Sequence, residues 1–198
     1  MDKLTASRIS GGNSATGRRK SDFYPTPPEA TIALLKYLRL LRCTRIWEPA
    51  AGEGDMAAAM REWGYIVYAS DITTGTDFLK FDLAETGVKY DWIITNPPFS
   101  EAEAFIRRAW QIGRPFAFLL KAQFWHAGKR RKLFEDCTPT LILPLTWRPD
   151  FFFKNRAEGE KGSPLMDVLW CVWYPNNLHR AGTTYWPLAR PIGGAENR

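Results

Sequence analysis

Cysteine and histidine are scarce in these 198 residues, and neither is arranged for metal or redox chemistry. Cys43, Cys137 and Cys171 are odd in number, widely spaced and without a Cys-x-x-Cys pair, so neither a disulfide framework nor a zinc site follows. His126 and His179 are isolated and read as surface or core residues rather than metal ligands. No apolar run approaches the length of a membrane span, and the first residues carry no apolar signal-peptide core. The expectation is a soluble, reduced, cytoplasmic protein with no membrane partner. A Gly-x-Gly-x-x-Gly run is also missing, which disfavours a nicotinamide-dependent oxidoreductase. No internal repeat and no clear domain linker interrupts the chain.

What is present is ordinary globular material, 45% hydrophobic and 24% charged, of a length that suits one domain. Residues 1–21 are rich in Gly, Ser, Thr and basic side chains and read as a disordered basic tail, leaving 22–198 as a single domain. The formal charge of +6 makes a polyanionic partner plausible without identifying one. Nine tryptophans is a high number; most serve as structural filling, with stacking on bases as the functional option.

The most telling stretch is Asp91-Trp92-Ile93-Ile94-Thr95-Asn96-Pro97-Pro98-Phe99. Tyr90 to Thr95 is a short apolar run of β-formers that reads as a buried strand, and the two prolines stop it abruptly. The strand end therefore presents one side-chain amide, proline carbonyls and an aromatic ring. That set suits a flat, amino-bearing ring: the amide and a carbonyl accept from the amine, and Phe99 stacks on the face.

Upstream, Thr26-Pro27-Pro28-Glu29 predicts a helix capped by the Thr26 hydroxyl and running to about Arg42. Phe23 and Tyr24 precede it, either held over a ligand or stapling the helix to the sheet. Arg45 to Glu48 reads as a strand, followed by the loop Pro49-Ala50-Ala51-Gly52-Glu53-Gly54-Asp55 and a helix of small residues from Met56 to Trp63. Strand, glycine loop and helix form the first half of a doubly wound nucleotide-binding unit. Glu48 and Asp55 place carboxylates where a dinucleotide needs a neutral phosphate cradle, so the ligand carries positive groups, as an amino acid or a sulfonium does. The second strand, Tyr65 to Ser70, ends in Asp71-Ile72, seventeen residues past Gly54 and placed to accept ribose hydroxyls. Asp77 is either an acceptor for an exocyclic amine, with Phe78 beside the adenine ring, or a turn cap.

Downstream, Ser100 to Glu103 reads as the cap of a helix reaching Ile112, and further strands are predicted over 115–120, 140–145 and 167–174. The cluster Lys129, Arg130, Arg131 and Lys132 beside Phe124 and Trp125 suits a nucleic-acid backbone. Arg148 and the run Phe151-Phe152-Phe153 follow; three consecutive phenylalanines cannot all face a core, so one lines a ligand site or meets a partner.

Taken in order, Tyr24-Pro25-Thr26-Pro27, Glu48-Pro49-Ala50-Ala51-Gly52-Glu53-Gly54, Asp71, Asp77-Phe78 and Asn96-Pro97-Pro98-Phe99 resemble the S-adenosylmethionine-dependent amino-methyltransferases. The resemblance is greatest to the small phage- and prophage-borne DNA N6-adenine methyltransferases. It covers residues 22 to about 120 and thins beyond. It implies a class I methyltransferase fold, a Rossmann-like doubly wound α/β sheet of about seven mostly parallel strands with one antiparallel strand near the C-terminus. It implies S-adenosylmethionine as cofactor and duplex DNA with a flipped target adenine as substrate. Thr26 and Pro27 would bind the cofactor's methionine end, Glu48 to Gly54 its amino group and carboxylate, Asp71 its ribose, and Asp77 with Phe78 its adenine. Asn96 and the Pro97 carbonyl would bind the target amine, Phe99 would stack on the target base, and one of Phe151, Phe152 and Phe153 would cover its other face. The sequence departs from the restriction-linked members in having only residues 122–164 to serve as a recognition region, and in carrying Phe rather than the commoner Tyr at 99. Relatives with the same tetrapeptide methylate RNA adenine or guanine, or a protein glutamine amide, and these stand as alternative substrates. A non-catalytic nucleic-acid-binding relative is the other alternative.

Overall fold

The computed structural model describes residues 24–155, 164, 166–176 and 182–191. The proposed basic tail, Phe23, His179 and residues 156–163 of the candidate recognition region lie outside them. A seven-stranded sheet forms the centre, in the order β2-β1-β3-β4-β6-β5-β7. Its strands are β1 (Arg45–Glu48), β2 (Ile66–Ala69), β3 (Trp92–Thr95), β4 (Phe116–Lys121), β5 (Leu141–Pro144), β6 (Val168–Trp173) and β7 (Thr184–Tyr185). Strand β6 runs antiparallel to both β4 and β5, and every other pairing is parallel. This is the class I methyltransferase, Rossmann-like arrangement. The seventh strand comes from the C-terminal stretch, beyond the last strand predicted from the sequence. It is an exposed two-residue edge, too short to show a period.

Helices cover both faces, and the sheet residues sort between them with period two. Ile46, Trp92, Ile94, Ala117, Leu119, Trp170 and Val172 share one core with α1 (Pro28–Leu38) and α2 (Asp55–Glu62). Trp47, Ile93, Phe116, Phe118, Cys171 and Trp173 share the other with α3 (Ala102–Ile112) and α4 (Arg131–Asp136). Burial on both sides is why these strands read as continuous apolar runs rather than alternating ones.

Two helix starts differ from expectation. Helix α1 is capped by Pro27 with no side-chain hydrogen bond, and it ends at Leu38, where Arg39 takes the left-handed conformation (φ 48°). The Thr26 hydroxyl is engaged elsewhere, as described below. Likewise Glu101 caps α3 without a side-chain bond.

The sheet reverses direction of growth at β1, whose neighbours are β2 and β3. Ligands bind at the carboxyl ends of strands flanking such a switch point. Arg45 at the start of β1 clamps Asp91 before β3: its Nε and Nη2 donate to the two carboxylate oxygens at 3.0 and 2.8 Å. This aligns the opposite, functional ends of the two strands. Trp170 on β6 ties α1 to the sheet, its buried Nε1 donating to the Ala30 carbonyl at 2.9 Å. Trp170→Phe is expected to destabilise the fold by about 2–4 kcal/mol, from the lost hydrogen bond and the partly unfilled space. Urea denaturation followed by tryptophan-independent circular dichroism would measure it.

Candidate active site

The carboxyl ends of β1, β2 and β3 surround a cleft of about 290 Å³. Its wall includes Glu48 and the loop residues Ala50, Ala51, Gly52 and Glu53, then Asp55 and Met56. Asp71, Ile72 and Thr73 come from the end of β2, Asn96, Pro97 and Pro98 from β3, and Tyr24, Pro25 and Thr26 from the segment before α1. Residues up to 74 positions apart in sequence thus meet because three parallel strands end at one level.

The loop after β1 holds its shape through backbone bonds. Ala51 N–H donates to the Ser70 carbonyl at 3.0 Å, and Gly54 N–H to the Ala51 carbonyl at 2.8 Å. Gly52 and Gly54 adopt φ of 53° and 87°, a conformation that side chains resist, which accounts for glycine at both places. Asp71 is central to this loop: Oδ2 accepts from Gly52 N–H at 2.8 Å, and Oδ1 accepts from the Thr73 N–H and hydroxyl at 2.9 and 2.7 Å. Its carboxylate is therefore both a loop anchor and a wall of the cleft.

The Asn96 amide is oriented by two groups that precede α1. Its Nδ2 donates to Thr26 Oγ1 at 3.0 Å and to the Tyr24 carbonyl at 3.4 Å. A carbonyl can only accept, so the amide nitrogen must face Tyr24 and the oxygen must face the other way. That oxygen is buried with no hydrogen-bond partner. Glu48 Oε2 and Asp55 Oδ2 are buried without partners as well. All three residues line one cleft, and buried polar groups without partners are rare in folded proteins. Glu48, 2% exposed, has its carboxyl pKa pushed up to about 8 by burial, opposed by the Arg61 charge. A ligand bearing N–H donors or positive charge fits this wall, and a pyrophosphate does not. The sulfonium and ammonium of the cofactor implied by the sequence resemblance meet that requirement.

Several sequence-nominated residues lie elsewhere. Phe78 is 2% exposed and packs on Trp47 and Phe105, at centroid distances of 5.2 and 4.8 Å, so it belongs to the core and not to the cleft. Asp77 is a turn cap: it accepts from Leu79 N–H at 3.0 Å and pairs with Lys80 at 2.9 Å, and that partner holds its carboxyl below the usual range. Pro27, Pro49 and Gly54 shape the backbone without lining the cleft, and Phe99 lies beside it. The Phe99 ring sits 5.6 Å from that of Tyr24, with an interplanar angle of 31°.

The basic cluster is less available than its sequence suggests. Arg130 lies over the buried Phe124 ring at 4.0 Å and donates to the Phe124 carbonyl at 2.9 Å, a structural role. Trp125 stacks on Phe134 at 4.2 Å. Arg131 pairs with Glu135, Lys132 with Asp136 and Arg148 with Asp167, though all three cations are exposed. Only helical wrapping brings the acids at 135 and 136 back beside residues 131 and 132. Among the phenylalanines, Phe151 is 2% exposed, whereas Phe152 and Phe153 are half-buried, and Phe152 meets Tyr24 edge-on at 6.1 Å.

Two lysines join the site that sequence reasoning did not single out. Lys154 Nζ reaches Glu53 Oε2 at 2.9 Å and Asp55 Oδ1 at 2.6 Å, bridging about a hundred residues of chain with no local signal. Lys121 closes β4, at the same sheet edge as Asn96; its position at a strand end was the available clue. Among the described residues no group of His, Cys, Asp and Glu is placed to hold a metal ion, and no helix is long and apolar enough to cross a membrane.

No family model and no curated protein matches the sequence. Solved structures do match the fold. The methyltransferase subunit of a type I restriction-modification system from Streptococcus thermophilus superposes with a TM-score of 0.57 at 12% identity, over 77% of this chain and 45% of its own. A protein from Listeria monocytogenes, assigned as a class I S-adenosylmethionine-dependent methyltransferase, gives 0.55 at 14% identity, over 93% and 71%. One from Vibrio vulnificus, assigned as the modification subunit of a type I restriction enzyme, gives 0.52 at 13% identity, over 97% and 52%. The chain spans about half the length of the two restriction-modification subunits. At these identities the likeness establishes the fold: this chain has the class I methyltransferase fold, with its cleft at the switch point of the sheet.

Proposed function

We propose that the protein transfers a methyl group from S-adenosylmethionine to the exocyclic N6 amine of adenine in DNA, on a base flipped out of the duplex. The observation that carries this reading is the Asn96 amide of the cleft lining, whose nitrogen is held by Thr26 and Tyr24 and whose oxygen is buried without a partner. Together with the Pro97 carbonyl it forms a pair of acceptors for the two hydrogens of an amine. The order of sequence motifs supports adenine-specific, phage-type relatives, and the fold is shared with restriction-modification subunits.

When bound, S-adenosylmethionine supplies a methyl group on a positively charged sulfur, which keeps the electron pair of the broken C–S bond. Glu48 and Asp55 would hold the ammonium of its methionine end, with Thr26 and Gly52 beside it. Asp71, its carboxylate fixed by the loop, would accept from the ribose, and Ile72 would cover the adenine in place of the interior Phe78. An aromatic amine is a poor nucleophile because its lone pair is delocalised into the ring. Accepting both hydrogens at Asn96 Oδ1 and Pro97 favours a pyramidal nitrogen with its lone pair exposed. The same carbonyl dipoles stabilise positive charge as it grows on that nitrogen. The main task left to the protein is alignment, and the surplus amine proton departs to solvent after transfer. Phe99 would stack on one face of the base, with Phe152 as the ring for its other side. A base within duplex DNA must be extruded first, at a cost of about a few kcal/mol. Lys129, Arg131, Lys132 and Arg148 would meet phosphates. Exposed ion pairs are worth only about 0–1 kcal/mol, so a phosphate can replace the acidic partners of the last three.

Asn96→Ala is expected to lower methyl transfer about 100- to 1000-fold, on the scale of an oxyanion-type contact, while cofactor affinity by calorimetry stays within a few-fold. Undiminished transfer would overturn the mechanism. Labelled S-adenosylmethionine offered in parallel to duplex DNA, single-stranded DNA, RNA and protein should label DNA, with N6-methyladenine as the product nucleoside. Label in RNA or protein alone would replace the substrate assignment.

Glu48 links cofactor binding to protons. Its folded pKa of about 8 means the empty site is mostly protonated at pH 7. A cation at the site favours the carboxylate and lowers that pKa, so binding at pH 7 releases a proton. The release should fade as pH rises above about 8, where Glu48 is already ionised. Calorimetry in buffers of different ionisation enthalpy would show it, and Glu48→Gln should abolish the buffer dependence.

A further inference from the structure

Lys121 ends β4, next to the strand that delivers Asn96. Its Nζ lies 4.0 Å from the centre of the Phe99 ring and 5.5 Å from that of Tyr24. Those rings are 5.6 Å apart, and the Tyr24 carbonyl in turn accepts from Asn96. One ammonium, two rings and the amine-binding amide therefore form a single cluster beside the cleft. The ammonium covers a face of Phe99 on which a flat ring could otherwise stack. A cation–π contact of this kind is favourable, and the four-carbon stem gives the ammonium a choice of rotamers at a fixed backbone.

We propose that Lys121 occupies the target-base position in the empty protein and, once the base enters, donates a hydrogen bond to the ring nitrogen flanking the reacting amine. This inference rests on the adenine reading above and assigns a residue that distinguishes adenine from guanine. Asn96 Oδ1 and the Pro97 carbonyl are both acceptors, so they read only amine hydrogens. Adenine, cytosine, guanine and a glutamine amide all present those. Telling adenine from guanine needs a donor aimed at what lies next to the amine, a donor that cytosine N3 would also satisfy. Adenine offers acceptors on both sides, N1 and N7, whereas the guanine amine has an N1–H donor on one side. A lysine ammonium is donor only, so it matches the first pattern and opposes the second.

The charge also dictates which step Lys121 serves. Nitrogen becomes positive as it attacks, and a nearby cation disfavours that change. Lys121 is therefore a binding and selection residue, and its removal should raise KM more than it lowers kcat.

The test measures steady-state methylation by wild type, Lys121→Met and Lys121→Arg. The substrates are duplexes carrying adenine, 7-deazaadenine throughout, or 1-deazaadenine throughout; both analogues keep the amine. Wild type should lose about 10- to 100-fold in kcat/KM on one of the two analogues, the range for a hydrogen bond to a charged group. Lys121→Met should lose a similar factor on adenine, mostly in KM, and should no longer distinguish adenine from that analogue. Lys121→Arg keeps a charged donor and should retain part of the discrimination. Because the comparison is between bases within one variant, partial loss of folded protein cancels. Equal losses on all three bases would mean a phosphate contact or a structural role and would overturn the proposal. So would a wild type indifferent to both analogues. Failure of wild type to methylate adenine in any duplex would overturn the substrate reading and Lys121's role with it. Adenine methylation without base discrimination by Lys121 would remove the role alone.

Discussion

Two hydrogen bonds, from the Asn96 amide nitrogen to the Thr26 hydroxyl and the Tyr24 carbonyl, fix which way the amide at the cleft points. An asparagine amide has a donor end and an acceptor end, and rotation by half a turn would convert an amine-binding wall into an amine-repelling one. The donor end is committed to the chain segment before α1, so the acceptor end is left for a ligand. That segment is itself fixed by α1, and α1 is fixed to the sheet by Trp170 and by burial of Ala30, Leu34 and Leu35. The orientation of the Asn96 amide is thus transmitted from the hydrophobic core through one helix.

Electrostatics divide the molecule into two regions of opposite character. The cleft gathers Glu48, Glu53, Asp55 and Asp71, with Lys154 bridging two of them at the rim. Burial raises the Glu48 carboxyl pKa to about 8, so that at pH 7 it holds a proton most of the time. Outside the cleft, Arg107, Arg131 and Lys132 each pair with an acid one helical turn away. Net charge alone therefore overstates how many cations on these helices lack a local partner.

Aromatic rings link the two halves of the site. Tyr24 touches Phe99, Phe151 and Phe152, and Lys121 lies over both Tyr24 and Phe99. The consecutive phenylalanines separate by burial: Phe151 anchors the loop in the core, which allows Phe152 and Phe153 to stay half-exposed beside the cleft. A rigid aromatic anchor next to adaptable rings is a suitable construction for gripping a planar base from two sides.

The sequence by itself determined most of the sheet and which residues stand at its strand ends. Six strands, the glycine loop, Asp71 and the Asn96 tetrapeptide were legible because apolar period, proline stops and glycine turns are local properties. It misassigned what depends on neighbours. Thr26 looked like a helix cap, yet its hydroxyl faces Asn96, 70 residues away. Phe78 looked like a ligand ring, yet Trp47 and Phe105 enclose it. Arg130 looked like a phosphate contact, yet Phe124 holds it. Lys154 gave no local sign of its place, and Lys121 gave only its position at a strand end, since their partners come from other strands and loops. Periodicity fixes which residues are apolar and where elements end. Only packing decides which way an amide points, which ring is enclosed and which charge finds an internal partner, because those outcomes rest on contacts between segments far apart in the chain.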